Sequence, residues 1–189
     1  MGKRKLSVDS TRTITTYVYL NSAAEWALEQ AEGTKEGRIY NCMSSIILSA
    51  FCIEAYLNHI GSELLSYWDD EVKKDISVSN KLKIICHHLN LAPDLSRRPF
   101  QSFKHIIKFR NLMAHGTIVN ISDQSIQTVR DGERVKYPKT WWEEHSTLSF
   151  AKRWLADTES IITTIHEAAG KGNLPFALLE ISSYHSTVK

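Results

Sequence analysis

The sequence predicts an all-α fold in which four or five helices form a bundle around one core. The longest segment, from about Arg38 to about Ser66, lacks proline and repeats apolar residues every three or four positions. Other segments have helix-start residues, an apolar stripe and helix-stop residues in that order. A chain of 189 residues can close one such core without disulfide bonds or metal ions.

Both ends of the chain are predicted to lie outside the helical domain, which is expected to span residues 21–170. Residues 1–20 are predicted to be a basic arm or a short extended segment. The stretch TRTITTYVYL alternates β-branched and aromatic residues, which favours a short strand or an extended lead-in. Residues 171–189 are predicted to form a C-terminal tail.

The first two helices are predicted from their end signals and their period. NSAAEWALEQAEG offers Asn21 or Ser22 as an N-cap, with Glu25 in the capping-box position behind Ser22 and Gly33 as the stop. The proline-free stretch 38–66 is the long central helix.

Two more helices follow from the same kind of signal. SVSNKLKIICHHLNL is predicted to be helical, with Ser79 or Asn80 as its N-cap. The next helix has Pro99 in its first turn, where a missing amide hydrogen costs little, and Gly116 as its stop.

Residues 117–146 are predicted to form a small β-hairpin-like insertion before the last helix. The apolar period changes to two in this segment, and the dipeptide Asp131-Gly132 suits a hairpin turn. The last helix is expected from about Thr147 to about Ala169.

Composition excludes several classes of protein. A net charge of +2 is too small to wrap nucleic acid by bulk charge, so any site for a polyanion must be a local basic patch. Three cysteines without a paired pattern predict reduced, packed thiols and a cytoplasmic protein. No apolar run reaches about 18 residues, so no membrane contact is expected. No metal site is predicted, because adjacent histidines such as His87 and His88 point in different directions on a helix. No cofactor is predicted either.

The stretch KFRNLMAHG sets a charge into an apolar helix face. At about 100° per residue, Arg110 projects near the middle of that face. A partly buried guanidinium needs an anionic partner, and Glu54 lies on an apolar stripe of the central helix. We expect a Glu54–Arg110 ion pair, which is either purely structural or leaves other guanidinium donors free for a phosphate. The apolar face is expected to consist of Phe100, Phe103, Ile106, Ile107, Met113 and Ala114.

His115 follows at the end of the same helix, beside the predicted stop. By helical spacing it lies nearer Lys104 and Lys108 than the apolar face, so the three side chains predict a local basic patch. A histidine in this position can also simply interact with the terminal carbonyl groups.

These residues meet the pattern of a known family. RNLMAHG resembles the R-x(4–6)-H motif of HEPN domains, including the polar residue Asn111 after the arginine. SAFCIEAYLN is similar to the long helix of that family, which carries an acidic residue among small and apolar ones. Through these motifs the resemblance covers about residues 22–116, and through its place in the fold it also covers the last helix.

The resemblance implies a metal-independent ribonuclease that acts as a homodimer. It implies Arg110 and His115 as the catalytic pair, Glu54 as the carboxylate that positions the arginine, Asn111 as a polar helper and Asn58 as a weaker candidate. The substrate is expected to be RNA, contacted by Lys104 and Lys108 of the basic patch. Such an enzyme is expected to be a toxin or a stress or antiviral effector, with a separate antitoxin or regulatory protein as a possible partner.

Two alternatives stay open at this point. The chain can be a non-catalytic HEPN module that binds RNA, a nucleotide or a protein. It can also be a regulatory helical protein in which Arg110 only closes an ion pair.

Overall fold

The computed structural model describes residues 6–124, 126–130, 132, 135–177 and 182–188 of the chain. Five helices of eleven residues or more form the bundle, so the predicted all-α fold is confirmed. A five-residue π-helix and a short helix, α5, connect them. The elements in chain order are β1 (Leu6–Arg12), α1 (Thr16–Gly33), α2 (Arg38–Leu64), the π-helix (Trp68–Val72), α3 (Val78–His88), α4 (Phe100–Ala114), α5 (Trp141–His145), α6 (Leu148–Ala168) and β2 (Ser182–Val188).

The two ends of the chain pair with each other. Strands β1 and β2 form an antiparallel two-stranded sheet, in which Leu6 lies opposite Val188 and Arg12 lies opposite Ser182. Parts of the predicted arm and tail therefore pair as two strands, whereas Pro175 and Phe176 of the predicted tail contact Tyr17 of α1. Every strand residue that the structure describes belongs to this sheet.

Helix α1 begins at Thr16, five residues before the predicted start, so a strand or extended lead-in over residues 16–20 is wrong. Tyr17 and Val18 are buried there, and the Tyr17 ring packs edge-on against Tyr56 of α2 with ring centroids 5.1 Å apart. Burial against α2 outweighs the preference of aromatic and β-branched residues for strands. Asn21 consequently lies inside the helix and does not cap it.

Helix α2 runs through the centre of the bundle, as the proline-free stretch predicted. It packs against α1, α3, α4 and α6, and it buries a residue every three or four positions. Among the described residues it is the one helix long and apolar enough to cross a membrane, a property that core helices share. The prediction of a cytoplasmic protein without membrane contact therefore stays a prediction.

The ends of the remaining helices follow local capping chemistry. The Oγ of Ser77 accepts from the backbone amide of Asn80, so α3 is capped two residues before the nearer of the two predicted caps, Ser79 and Asn80. Helix α4 ends before Gly116 as predicted, with His115 as its C-cap. Ala114 is exposed, so its predicted place on the buried face is wrong.

The insertion is hairpin-like in its path, but its described residues before α5 contain no β-strand. The side-chain amide of Gln127 donates to the carbonyl of Lys136 at 2.7 Å and accepts from its backbone amide at 2.9 Å. Gly132 has a φ of +85°, a left-handed conformation that glycine adopts readily. Asp131, the other residue of the predicted turn, lies outside the described residues.

A close approach between Gly61 of α2 and Trp68 positions the π-helix. Trp68 is fully buried, and a Cβ on Gly61 would overlap its indole ring. The absence of a side chain at this position is therefore what allows the indole to reach the core.

We expect Gly61→Ala to lower the free energy of unfolding by about 1–3 kcal/mol, because the added methyl group overpacks a filled site. Urea unfolding followed by circular dichroism measures the change. Gly33→Ala is the matched control, since a Cβ there meets no atom within 4 Å. Equal stability of the two variants would contradict this account of the Gly61 contact.

Near the C-terminal end of α6, a hydrogen bond joins α6 to α2. The Tyr56 hydroxyl lies 3.2 Å from Nδ1 of His166. Burial raises the pKa of Tyr56, so its hydroxyl stays protonated and is able to donate to a neutral imidazole. Burial, with help from nearby Lys171 and His59, lowers the pKa of His166, while Glu63 acts in the opposite direction.

The lowered pKa of His166 makes stability depend on pH. Its contribution to the free energy of unfolding is present above the ordinary value of 6.5 and is lost as the pH falls through that value to the lowered pKa. We expect the urea midpoint to fall between about pH 7.5 and about pH 5.5, and to fall less in His166→Asn, whose amide oxygen keeps an acceptor. The same pH dependence in both proteins would assign the effect to other groups.

Candidate functional site

The predicted ion pair between Glu54 and Arg110 is present and joins α2 to α4. Nη2 of Arg110 donates to Oε2 of Glu54. The Arg110 side chain is 18% exposed and that of Glu54 is 29% exposed, so both charges lie partly out of water. The helical spacing of each residue in its apolar stripe correctly predicted this contact.

A second cation, Lys81 of α3, reaches the same carboxylate. Its Nζ lies 3.5 Å from Oε1 of Glu54 and donates to the carbonyl of Lys73 at 2.7 Å, and its side chain is only 2% exposed. Sequence reasoning missed this residue. The available signal was its position three residues after Val78 and four before Ile85, on the apolar stripe of α3.

Two cations therefore share one carboxylate, which leaves this cluster with an excess of positive charge. Nη1 of Arg110 donates to Oδ1 of Asn111 at 3.0 Å. Nε of Arg110 is buried and has no hydrogen-bond partner among the described residues. The guanidinium also lies over the ring of Phe51, with its Cζ 5.9 Å from the ring centroid. Arg110 is thus held in place from three sides while keeping donor capacity.

His115 lies in an open cavity of about 460 Å³ on the outer side of α4. Its imidazole is exposed, and its backbone amide donates to the carbonyl of Asn111 at 2.9 Å. Lys104 and Lys108 line the cavity as predicted from helical spacing, so the cavity is basic. We call it the basic cavity, and its lining residues are Ser79, Lys104, Ile107, Lys108, Asn111, Leu112 and His115.

Arg110 and His115 do not line the same cavity within one chain. Five residues at about 100° each place them about 140° apart around the axis of α4. Arg110 faces α2, whereas His115 faces the basic cavity. Asn111 is the link between them, because it accepts from Arg110 and also lines the basic cavity.

Asn58 is not brought to this site. It lies one turn after Glu54 on α2 but lines a different cavity of about 590 Å³, whose walls include Tyr17 of α1 and Lys73. Its Oδ1 is buried and has no hydrogen-bond partner among the described residues. The structure thus gives Asn58 no contact with Arg110 that would make it part of the same site.

Lys108 and the aromatic residues before α6 pack together at the edge of the basic cavity. Nζ of Lys108 lies 4.1 Å from the centre of the Trp141 ring, a cation–π contact that holds the ammonium group beside the cavity. Trp141 also stacks on His145 and lies near Trp154 of α6. Packing thus accounts for Trp141, as expected for paired tryptophans.

Neither a metal-ligand cluster nor a related protein identifies the function of this site. Within the described ranges, no group of three His, Cys, Asp or Glu side chains is arranged to hold a metal ion. Comparisons with protein-family models, curated proteins and solved structures return no match for this chain. The resemblance to HEPN domains therefore stays a prediction.

We expect Glu54→Gln to lower the free energy of unfolding by about 2–3 kcal/mol, because Arg110 and Lys81 lose their shared anion. The loss is smaller than the roughly 3–5 kcal/mol of a fully buried pair, since Glu54 is partly exposed. Glu32→Gln is the control, because its pair with Lys152 lies at the surface and contributes about 0–1 kcal/mol. A loss in Glu54→Gln no larger than in this control, measured by urea unfolding, would show that the cluster does not stabilise the fold.

Proposed function

We propose that this protein is a metal-independent endoribonuclease of the HEPN type. One observation carries the proposal. Arg110 is held by Glu54 and Asn111, beside a basic cavity that contains His115. The fixed guanidinium and the exposed imidazole lie on different sides of α4, and Asn111 both accepts from Arg110 and lines the cavity of His115.

The charges of the site favour an anionic ligand. Arg110 and Lys81 share the single carboxylate of Glu54, so these three side chains carry one positive charge in excess. Lys104 and Lys108 add two ammonium groups along the basic cavity. A phosphate group can neutralise this excess charge, and arginine binds phosphate through two parallel hydrogen bonds. The overall charge of +2 is consistent with a local site of this kind.

RNA supplies the nucleophile for its own cleavage. In the proposed reaction, the 2′-oxygen attacks the adjacent phosphorus, and the bond from phosphorus to the 5′-oxygen breaks. One base removes the proton of the 2′-hydroxyl, and one acid protonates the leaving 5′-oxygen, which gives a 2′,3′-cyclic phosphate and a 5′-hydroxyl. His115 acts as base or acid, and Arg110 stabilises the charge on the phosphorane.

A homodimer would supply what one chain lacks. Arg110 and His115 of one chain face different sides of α4, and one chain offers only one such imidazole. Two-fold symmetry brings a second set of the same residues to one cleft. Exposed apolar side chains near the site, Phe51 and Leu112, suit contact with a partner. A separate antitoxin or regulatory protein, a role as toxin or stress or antiviral effector, and a cytoplasmic location belong to the same proposal.

The second candidate is a non-catalytic module that binds RNA, a nucleotide or a protein. It is favoured by the separation of Arg110 from the cavity of His115. In this case the basic cavity holds a phosphate, and no proton transfer takes place there. The two candidates predict different effects of changing His115.

We expect the purified protein to cleave a mixed RNA pool that includes tRNA, in the presence of a chelator. His115→Ala should lower the rate at least about 100-fold, the lower range for a general acid–base group, and Arg110→Ala about 100-fold, the lower range for losing a donor that stabilises transition-state charge. Gel electrophoresis measures the rate. Mass spectrometry of the products should show 2′,3′-cyclic phosphate ends.

Matched controls use surface residues of the same type. His88→Ala removes an exposed histidine at the end of α3, and Arg97→Ala removes an arginine whose side chain is 85% exposed. Both should cleave like the wild type. Equal cleavage by His115→Ala would refute the mechanism, and RNA binding without cleavage by any protein would favour the second candidate.

A further inference from the structure

A second cavity lies beside the basic cavity, between α3 and α4. It has a volume of about 560 Å³, which is in the usual range for small-molecule sites. Its walls are largely apolar and come from both helices and from the segment that connects them. The wall residues are Leu82, Cys86, Leu91, Pro93, Leu95 and Phe103.

The rim of this apolar cavity is polar and basic. Lys83 and His87 lie on the α3 side, Lys104 lies on the α4 side, and Ser79 lies at the N-terminal end of α3. Asp94 is the nearest carboxylate in sequence. Its Oδ1 accepts hydrogen bonds from the backbone amide and the hydroxyl of Ser96. A ligand for this cavity therefore has an apolar body and hydrogen-bond acceptors or negative charge at its edge.

The apolar cavity and the basic cavity adjoin each other. Both are lined by Ser79 and Lys104, so the two cavities meet at these residues. From there the basic cavity follows α4 to His115, eleven residues away, a rise of about 16 Å. A ligand that occupies both cavities combines a flat apolar group with phosphate groups on one flexible chain. Single-stranded RNA has this construction.

We propose that the apolar cavity is a base-binding subsite that receives a guanine of the RNA bound along the basic cavity. The inference rests on the proposed function, which supplies the RNA. The purine ring packs against the apolar walls, while Lys104 contacts the neighbouring phosphate. Lys83 donates to O6 and N7 of guanine, two adjacent acceptors for which lysine is a frequent partner. The subsite thus directs the protein to RNA positions next to a guanine.

Binding is measured without cleavage, by calorimetry on the full chain. The ligands are guanosine 3′-monophosphate, cytidine 3′-monophosphate, inorganic phosphate and decanoate. We expect guanosine 3′-monophosphate to bind about tenfold more tightly than cytidine 3′-monophosphate, the lower range for one good base contact. Inorganic phosphate should bind more weakly than either nucleotide. Decanoate tests whether the cavity prefers a simple amphipathic acid.

Three variants locate the bound base. Leu95→Trp fills the cavity from the connecting segment, and Leu174→Trp is its control because Leu174 is 73% exposed and lies outside both cavities. Lys83→Met changes only an exposed side chain at the rim, so it preserves the fold. We expect Leu95→Trp to weaken guanosine 3′-monophosphate binding about tenfold and Lys83→Met to abolish the preference for guanine, with Leu174→Trp unchanged.

The outcomes separate this subsite from the ribonuclease proposal. Equal binding of both nucleotides, no effect of Leu95→Trp, or tighter binding of decanoate would each overturn the guanine subsite, whether or not the protein cleaves RNA. A guanine preference that depends on Lys83 and on an open cavity supports the subsite even where the cleavage assay fails. In a protein that cleaves, the cut positions of the wild type should lie near guanines, and those of Lys83→Met should not.

Discussion

The carboxylate of Glu54 joins three helices of the bundle through ion pairs. Arg110 reaches it from α4 and Lys81 reaches it from α3, while Glu54 itself belongs to the central helix. Each cation is largely withdrawn from water and has this one carboxylate as its anionic partner among the described residues. The positions of the three helices, and the direction in which the guanidinium points, depend on this cluster.

The cluster also explains how the surface of α4 is divided. Facing α2, Arg110 is held by its carboxylate and by the amide oxygen of Asn111. On the outer side, lysines and His115 line the basic cavity, which adjoins an apolar cavity against α3. One helix thus separates a buried charge cluster from an accessible basic surface. Asn111 takes part in both, because it accepts from Arg110 and lines the basic cavity.

Periodicity predicted the parts of this arrangement that depend on a single helix. The long central helix and the place of Arg110 on an apolar face follow from residue spacing, and the end of α4 follows from Gly116 as a stop residue. The misses have a common physical origin. Lys81 was missed although it lies on the apolar stripe of α3, because its position there does not tell which carboxylate on another helix its ammonium group reaches. Residues 16–20 were misjudged because burial of Tyr17 and Val18 against α2 overrides their preference for strands.

By itself the sequence determined the helical class, the central helix and the Glu54–Arg110 pair, because each depends on a periodic pattern or on the need of a buried charge for a partner. Only the tertiary structure decided that Lys81 joins this pair, that Asn58 faces another cavity, and that the apolar and basic cavities adjoin. Those features depend on the relative positions of separate helices. Side-chain packing between helices sets these positions, and it has no signature within any one segment of the chain.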